Sequence, residues 1–294
     1  MSIWSRSLGL INATLRILKE EKMLIGFALL AGLFSIIITA VFGLLAFELF
    51  SSDPQFSSNI RADENDPSIL IPGLILTYFY YFITYTITNF LMTGLIGAAL
   101  MRLDGKDPTF ADGMKIAFVR IWRIVGYSAI AATVGLLLAM LRKQKGLGQL
   151  IGAIGGIAWS LATFLVIPII VVKDLSPMQA IKESSSLLKK TWGEQVVGGG
   201  GIGFIFFLLF AAVIGSTAGI IHFFGPPAFD LTFDLPVLIV GGLAFVILAA
   251  IFATLNAIYK AMVYAYADSG SIPKEVDDEL MQGAFKQGKV GSGL

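Results

Sequence analysis

Six apolar stretches constrain this chain more than any other feature: residues 23–50, 69–100, 124–141, 147–172, 196–221 and 236–264. Each approaches or exceeds the roughly 20 residues that a helix needs to cross a bilayer's hydrocarbon core. In that solvent every backbone N–H and C=O must find its partner inside the chain, so an apolar run of this length reads as a helix. The expected fold is an all-α integral membrane protein with six transmembrane helices. Composition agrees: 14% of residues are charged, where soluble domains carry roughly a quarter. The first run is far longer than the roughly 7–15 residues of a signal-peptide core, and no small-residue cleavage site follows, so it reads as a retained span. Residues 1–267 read as a single membrane domain and 268–294 as a polar tail containing a short helix, 275–285.

The connections between spans carry a second pattern. Over residues 2–20, Trp4, Leu8, Ile11, Leu15 and Leu18 fall on one helical face, with Arg6, Asn12, Arg16 and Lys19 elsewhere. Residues 109–123 place Phe110, Met114, Ala117, Phe118 and Ile121 together, with Trp122 at the edge. Residues 176–192 set Met178, Ile181, Leu188 and Trp192 against Lys182, Glu183, Ser186 and Lys190. Such helices suit a membrane surface. The third has a well-marked start: Ser176 caps it, Pro177 takes the first helical position and Gln179 completes a capping box. Gly193 ends it. Lys106-Asp107-x-Thr109 echoes Lys173-Asp174-x-Ser176. Together these predict three amphipathic interfacial helices, each preceding a pair of spans, as three helix-plus-hairpin units. The competing reading is that any link between spans must be amphipathic.

The basic residues predict the orientation. With both termini cytoplasmic, the inner segments hold most of the lysines and arginines, and the outer ones hold Arg61 and the trio Arg142, Lys143 and Lys145. That trio breaks the rule. Making the third span re-entrant would move it inside at the cost of exporting two later basic segments, so six spans in a cytoplasmic (inner) membrane is the better account.

Several chemistries are poorly supplied. The chain has no cysteine and a single histidine, His222, which leaves little for thiolate, zinc or haem sites or a Ser-His-Asp triad. Net charge is +1, with no broad basic field for nucleic acid. No Asp or Glu sits deep in a span, which weighs against ion-coupled transport. No catalytic residue, cofactor or metal site is expected.

Two kinds of candidate remain. The first is polar. Thr77, Tyr81, Thr84 and Thr88 share a face of the second span, with Asn89 beside them, and the sixth span holds Asn256 and Lys260. Polar groups in a bilayer call for partners or water, so these residues form a candidate polar path. The competing reading has the threonines bonding to their own helix carbonyls and Lys260 snorkelling to the interface. The second kind is small. Gly148, Gly152, Gly156 and Ser160 recur every four residues in the fourth span, and Gly199, Gly203, Gly215 and Gly219 mark the fifth. Small residues at this spacing let another helix come close, either within the chain or from a second copy. Trp4, Trp122, Trp192, Lys182 and Lys190 are the expected interfacial anchors.

Four blocks carry a resemblance. They are Asp104-Gly105 with Asp107-Pro-Thr109 and Asp112-Gly113; Ala132-Thr-Val-Gly-Leu with Trp159-Ser-Leu-Ala-Thr163-Phe, Pro168 and Asp174; Ser185–Leu188, Lys190 and Thr191-Trp-Gly-Glu-Gln195; and Asn256 with Tyr264-x-Tyr266. Together they resemble a bacterial and archaeal family of six-span membrane proteins known only as a domain of unknown function. More distantly they look like the membrane domain of some glycerophosphodiester phosphodiesterases. The resemblance implies the architecture and brings no activity.

The function these features predict is a non-catalytic, self-associating membrane protein. It would act as a passive channel or as a scaffold for other membrane proteins. The alternative is a lipid-handling protein whose cytoplasmic amphipathic helices hold anionic headgroups. An ion-coupled transporter is least favoured.

Overall fold

The computed structural model describes residues 14–51, 67–192, 201–226 and 230–269. Among these residues there is no strand. In chain order the helices are α1 (Met23–Ser51), α2 (Pro67–Leu103), α3 (Phe110–Val119), α4 (Ile121–Lys143), α5 (Leu147–Ala162), α6 (Val166–Val172), α7 (Pro177–Trp192), α8 (Gly201–Phe224) and α9 (Asp234–Ser269). Residues 14–20 are also helical. Six helical stretches are long and apolar enough to cross a membrane, with α5 and α6 forming one of them. The all-helical, six-span architecture is therefore present. The helical segment 14–20 precedes α1 and α2, α3 precedes α4 and α5–α6, and α7 precedes α8 and α9.

The chain divides into two compact units. One gathers Met1–Leu29, Ala98–Phe110 and Ser186–Leu294. Its buried side chains include Ile17, Leu24, Phe27, Leu255, Ile258 and Met262. Phe27 stacks on Phe110 with ring centroids 4.2 Å apart. α8 and α9 pair through Phe206 on Phe252 and Phe210 on Phe245. Near the other end of that hairpin Thr217 lies so close to Gly241 that a Cβ there would collide.

α2 ends within this unit by a Schellman turn. Gly105 takes φ +78, its N–H reaches the Arg102 carbonyl and that of Lys106 reaches Met101. A side chain at that φ would be strained, which is why glycine closes the helix. The loop before α9 is held by Asp230 and Asp234. The Asp234 carboxylate, 2% exposed, accepts the Asp230 N–H through Oδ2 at 2.7 Å, and its Oδ1 has no partner among the described residues.

The other unit gathers Leu30–Gly97 and Ala111–Ser185. Its buried side chains include Leu95, Ile96, Ile124, Leu165, Ile169 and Ile170. α4 and α5 form its tightest hairpin, closed by the turn at Gly146, φ +75. Here the expected amphipathic helix 109–123 is not continuous. It breaks at Arg120, whose N–H is shared between the Ile116 and Ala117 carbonyls, and residues 121–123 open α4 instead. Phe118, expected on the covered face, is 61% exposed, and Gly113 and Ala117 are the buried residues of α3.

Candidate functional site

The best-defined polar construction lies where α6 and α7 meet the end of α5. A continuous helix over 147–172 would require the Pro168 nitrogen to donate to the Phe164 carbonyl. Proline has no such hydrogen, and its ring crowds that carbonyl. The helix accordingly opens at Thr163-Phe164-Leu165 and restarts as the seven-residue α6. An opened backbone in an apolar setting must be answered from elsewhere. The N–H of Leu165 donates to Ser184 Oγ at 3.0 Å, and both residues are fully buried. Ser185 Oγ donates to the Ala162 carbonyl at 3.5 Å, and Thr163 Oγ1 to the Trp159 carbonyl at 2.8 Å. Two neighbouring serines of α7 thus clasp the break.

The start of α7 is held equally locally. The Ser176 N–H donates to Gln179 Oε1 at 3.0 Å and the Gln179 N–H to Ser176 Oγ at 3.4 Å, the reciprocal pair of a capping box. Asp174, just before it, accepts from Arg120 at 2.6 Å and also from Arg123. Lys173 pairs with Glu183 at 2.9 Å. Pro177 packs into the space above Gly126 of α4, where a Cβ would stand 2.9 Å from its ring. The buried face of α7 is Ala180, Ile181, Ser184, Leu187 and Leu188. Met178, expected on that face, is 51% exposed, because the buried face is centred on Ala180, Ser184 and Leu187, and helical spacing turns residue 178 away from it.

The echo noted between Asp107 and Asp174 extends to their partners. In its own unit Arg102 pairs with Asp107 at 2.7 Å, with Glu20 at 2.9 Å and with Glu21 at 3.5 Å. Twice, therefore, an aspartate just ahead of a helix accepts an arginine: Asp107 from Arg102 in the last turn of α2, and Asp174 from Arg120 and Arg123 at the break between α3 and α4.

The polar stripe of α2 is largely spent on packing. Thr77 donates to the Gly73 carbonyl, as the competing reading held. Tyr81 stacks on Tyr85. Asn89 donates to Ser128 of α4 at 3.0 Å, and Ser128 is fully buried. Thr88 is half-buried. Thr84 Oγ1 is buried with no partner among the described residues. Asn256 and Lys260, both half-buried in α9, belong to the other compact unit.

The glycine faces divide sharply. Gly148, Gly152 and Gly156 look onto α4 and its turn: a Cβ at Gly148 would meet Gln144, and at Gly152 or Gly156 it would meet Arg142. Ser160, exposed, bonds to the Gly156 carbonyl. By contrast Gly203, Gly215 and Gly219 of α8 have nothing within reach of a Cβ. Of the expected anchors, Trp122 is 82% exposed and Lys182 is exposed. Trp4 and Gly199 lie outside the described residues, as do the side chains of Lys190 and Trp192.

Sequence reasoning missed the break and its clasp. Pro168 inside an apolar run was the available signal; nothing local pointed to Ser184. The chemistry on offer here is hydrogen bonding and charge pairing.

A family model matches residues 71–273, which include all four blocks of the resemblance. The chain belongs to DUF6159, a family of unknown function. The DUF6159 match begins inside α2 and runs past the end of α9, so it takes in the clasp, the Asp174 pairs and the glycine faces. No curated protein and no solved structure matches the chain. The more distant likeness to glycerophosphodiester phosphodiesterases gains nothing from these comparisons.

Proposed function

We propose that this DUF6159 protein is a non-catalytic scaffold of the cytoplasmic membrane, with both termini cytoplasmic, that self-associates through α8. One observation carries the reading: the small-residue face of α8 is open, while the matching face of α5 is filled from within the chain. Packing between membrane helices gains most where small residues let backbones approach, so an uncovered face of this kind suits a second copy. Beside it, Ala212, Val213, Ser216 and Ala244 line a shallow apolar groove of about 550 Å³ along the α8–α9 hairpin. The hydrogen bonds of Thr77 and Asn89 and the ring stacking of Tyr81 favour a scaffold over a passive path. The basic-residue count favours the orientation, and the dearth of Cys, His and deep acids favours a role without catalysis.

The test is native mass spectrometry of the full chain in lipid nanodiscs. A discrete oligomer that Gly215→Leu and Gly219→Leu dissolve supports the scaffold. A monomer under all conditions rejects it.

A second reading, lipid handling at the membrane surface, is favoured by the exposed Phe118, Val119, Trp122 and Met178, which flank the Asp174 ion pairs. Such side chains suit the headgroup zone.

A further inference from the structure

The turn between α4 and α5 holds three cations and no anion. Arg142, Lys143 and Lys145 are all exposed, and between Asp112 and Asp174 the sequence contains no acidic residue. Among the described residues none of the three forms an ion pair, whereas Arg102, Arg120, Arg123 and Lys173 all do.

Arg142 is also held in an unusual place. Long cationic side chains at the end of a membrane helix ordinarily reach outward to water or headgroups. Arg142 turns the other way. Its stem lies on Gly152, where a Cβ would stand 2.9 Å from its Cγ. Its Nε–H points to the Gly152 carbonyl at 3.4 Å, and its guanidinium covers Gly156, leaving no room for a side chain there. The two glycines make a bed for an arginine. The bed directs a charge along α5 from Gly152 to Gly156, on a hairpin that leaves Leu137, Leu150 and Ile151 exposed. A charge on the lipid side of a span is costly unless an anion meets it.

The geometry points to a binding site for the phosphate of an anionic phospholipid, formed by the Arg142 guanidinium with Lys143 and Lys145. The planar fork of arginine matches two phosphate oxygens, and the two lysines add attraction for the headgroup's net charge. The exposed Leu137, Leu150 and Ile151 of the same hairpin suit the acyl chains, which a soluble phosphate lacks. The site is independent of how the chain self-associates, since it lies on a different hairpin from α8.

The probe is phosphatidylglycerol against phosphatidylcholine, with retained lipid measured by native mass spectrometry of the full chain. The parent should retain phosphatidylglycerol preferentially. R142Q/K143Q/K145Q should lower that preference by roughly one to two powers of ten. Gly156→Ala removes no charge but displaces the guanidinium, and should lower it several-fold, with an unchanged melting temperature showing that the fold is intact. Equal retention in parent and triple variant overturns the assignment. So does competition by inorganic phosphate at concentrations matching the lipid, which would mark a site for soluble anions.

Discussion

The hydroxyl of Ser184 takes the N–H of Leu165, 19 residues earlier in the chain, at 3.0 Å in a fully buried position. That single bond ties a helix of surface character to the open backbone of a membrane span. Ser184→Ala leaves the N–H without a partner. The loss should cost about 1–2 kcal/mol, between the figures for buried bonds in soluble and in membrane proteins. Thermal unfolding in detergent would read it. Ser185→Ala, which removes a bond of 3.5 Å, should stay within about 0.5 kcal/mol of the parent.

Gly126 and Pro177 make the second contact that seats α7, and the space between them is closed to any side chain. Gly126→Leu should destabilise by about 1–3 kcal/mol through overpacking, because the proline ring cannot rotate away. Gly43→Leu, on a stretch of α1 with nothing within reach, should be near neutral. Parallel denaturation of the two variants checks the contrast.

Asp230 supplies the pH-dependent case. The Thr232 hydroxyl donates to Asp230 Oδ1 at 2.6 Å and the Thr232 N–H does so at 2.7 Å. The hydroxyl bond is the larger cause that holds this carboxyl below the ordinary aspartate range, with the backbone bond next. A lowered folded value means that the charged form is favoured by the fold. Its stabilising share is complete above the unfolded value, about 4, and fades as pH falls through the lower folded one. Thr232→Val should move the Asp230 titration upward, back toward the ordinary range, while the backbone bond keeps part of the shift. Carboxyl carbon NMR across an acid titration measures it.

What the sequence disclosed follows the range of the interactions. The capping box was legible because Ser176 and Gln179 are three residues apart and speak only to each other's backbone. Spans were legible because each is continuous and solvent alone dictates it. Glycine spacing at 148, 152 and 156 announced a close approach, yet not that the visitors would be Gln144 and Arg142, since periodicity reports a gap and says nothing of its occupant. Met178 and Phe118 were misplaced because period fixes which residues share a face and not which face is covered. In α3 the covered face is that of the small Gly113 and Ala117, and in α7 it is that of Ala180 and Ser184. Ser184 was invisible for the same reason that it matters: its partner is far away in sequence, and only the folded chain brings them together.

The clasp also sets an order on biosynthesis. The fourth span is α5 and α6 together, and the join between them is held from α7. When the ribosome finishes the fourth span, Leu165 still has no one to bond, for Ser184 has yet to be made. The bond that answers Leu165 can form only after the next helix has emerged and packed against the span.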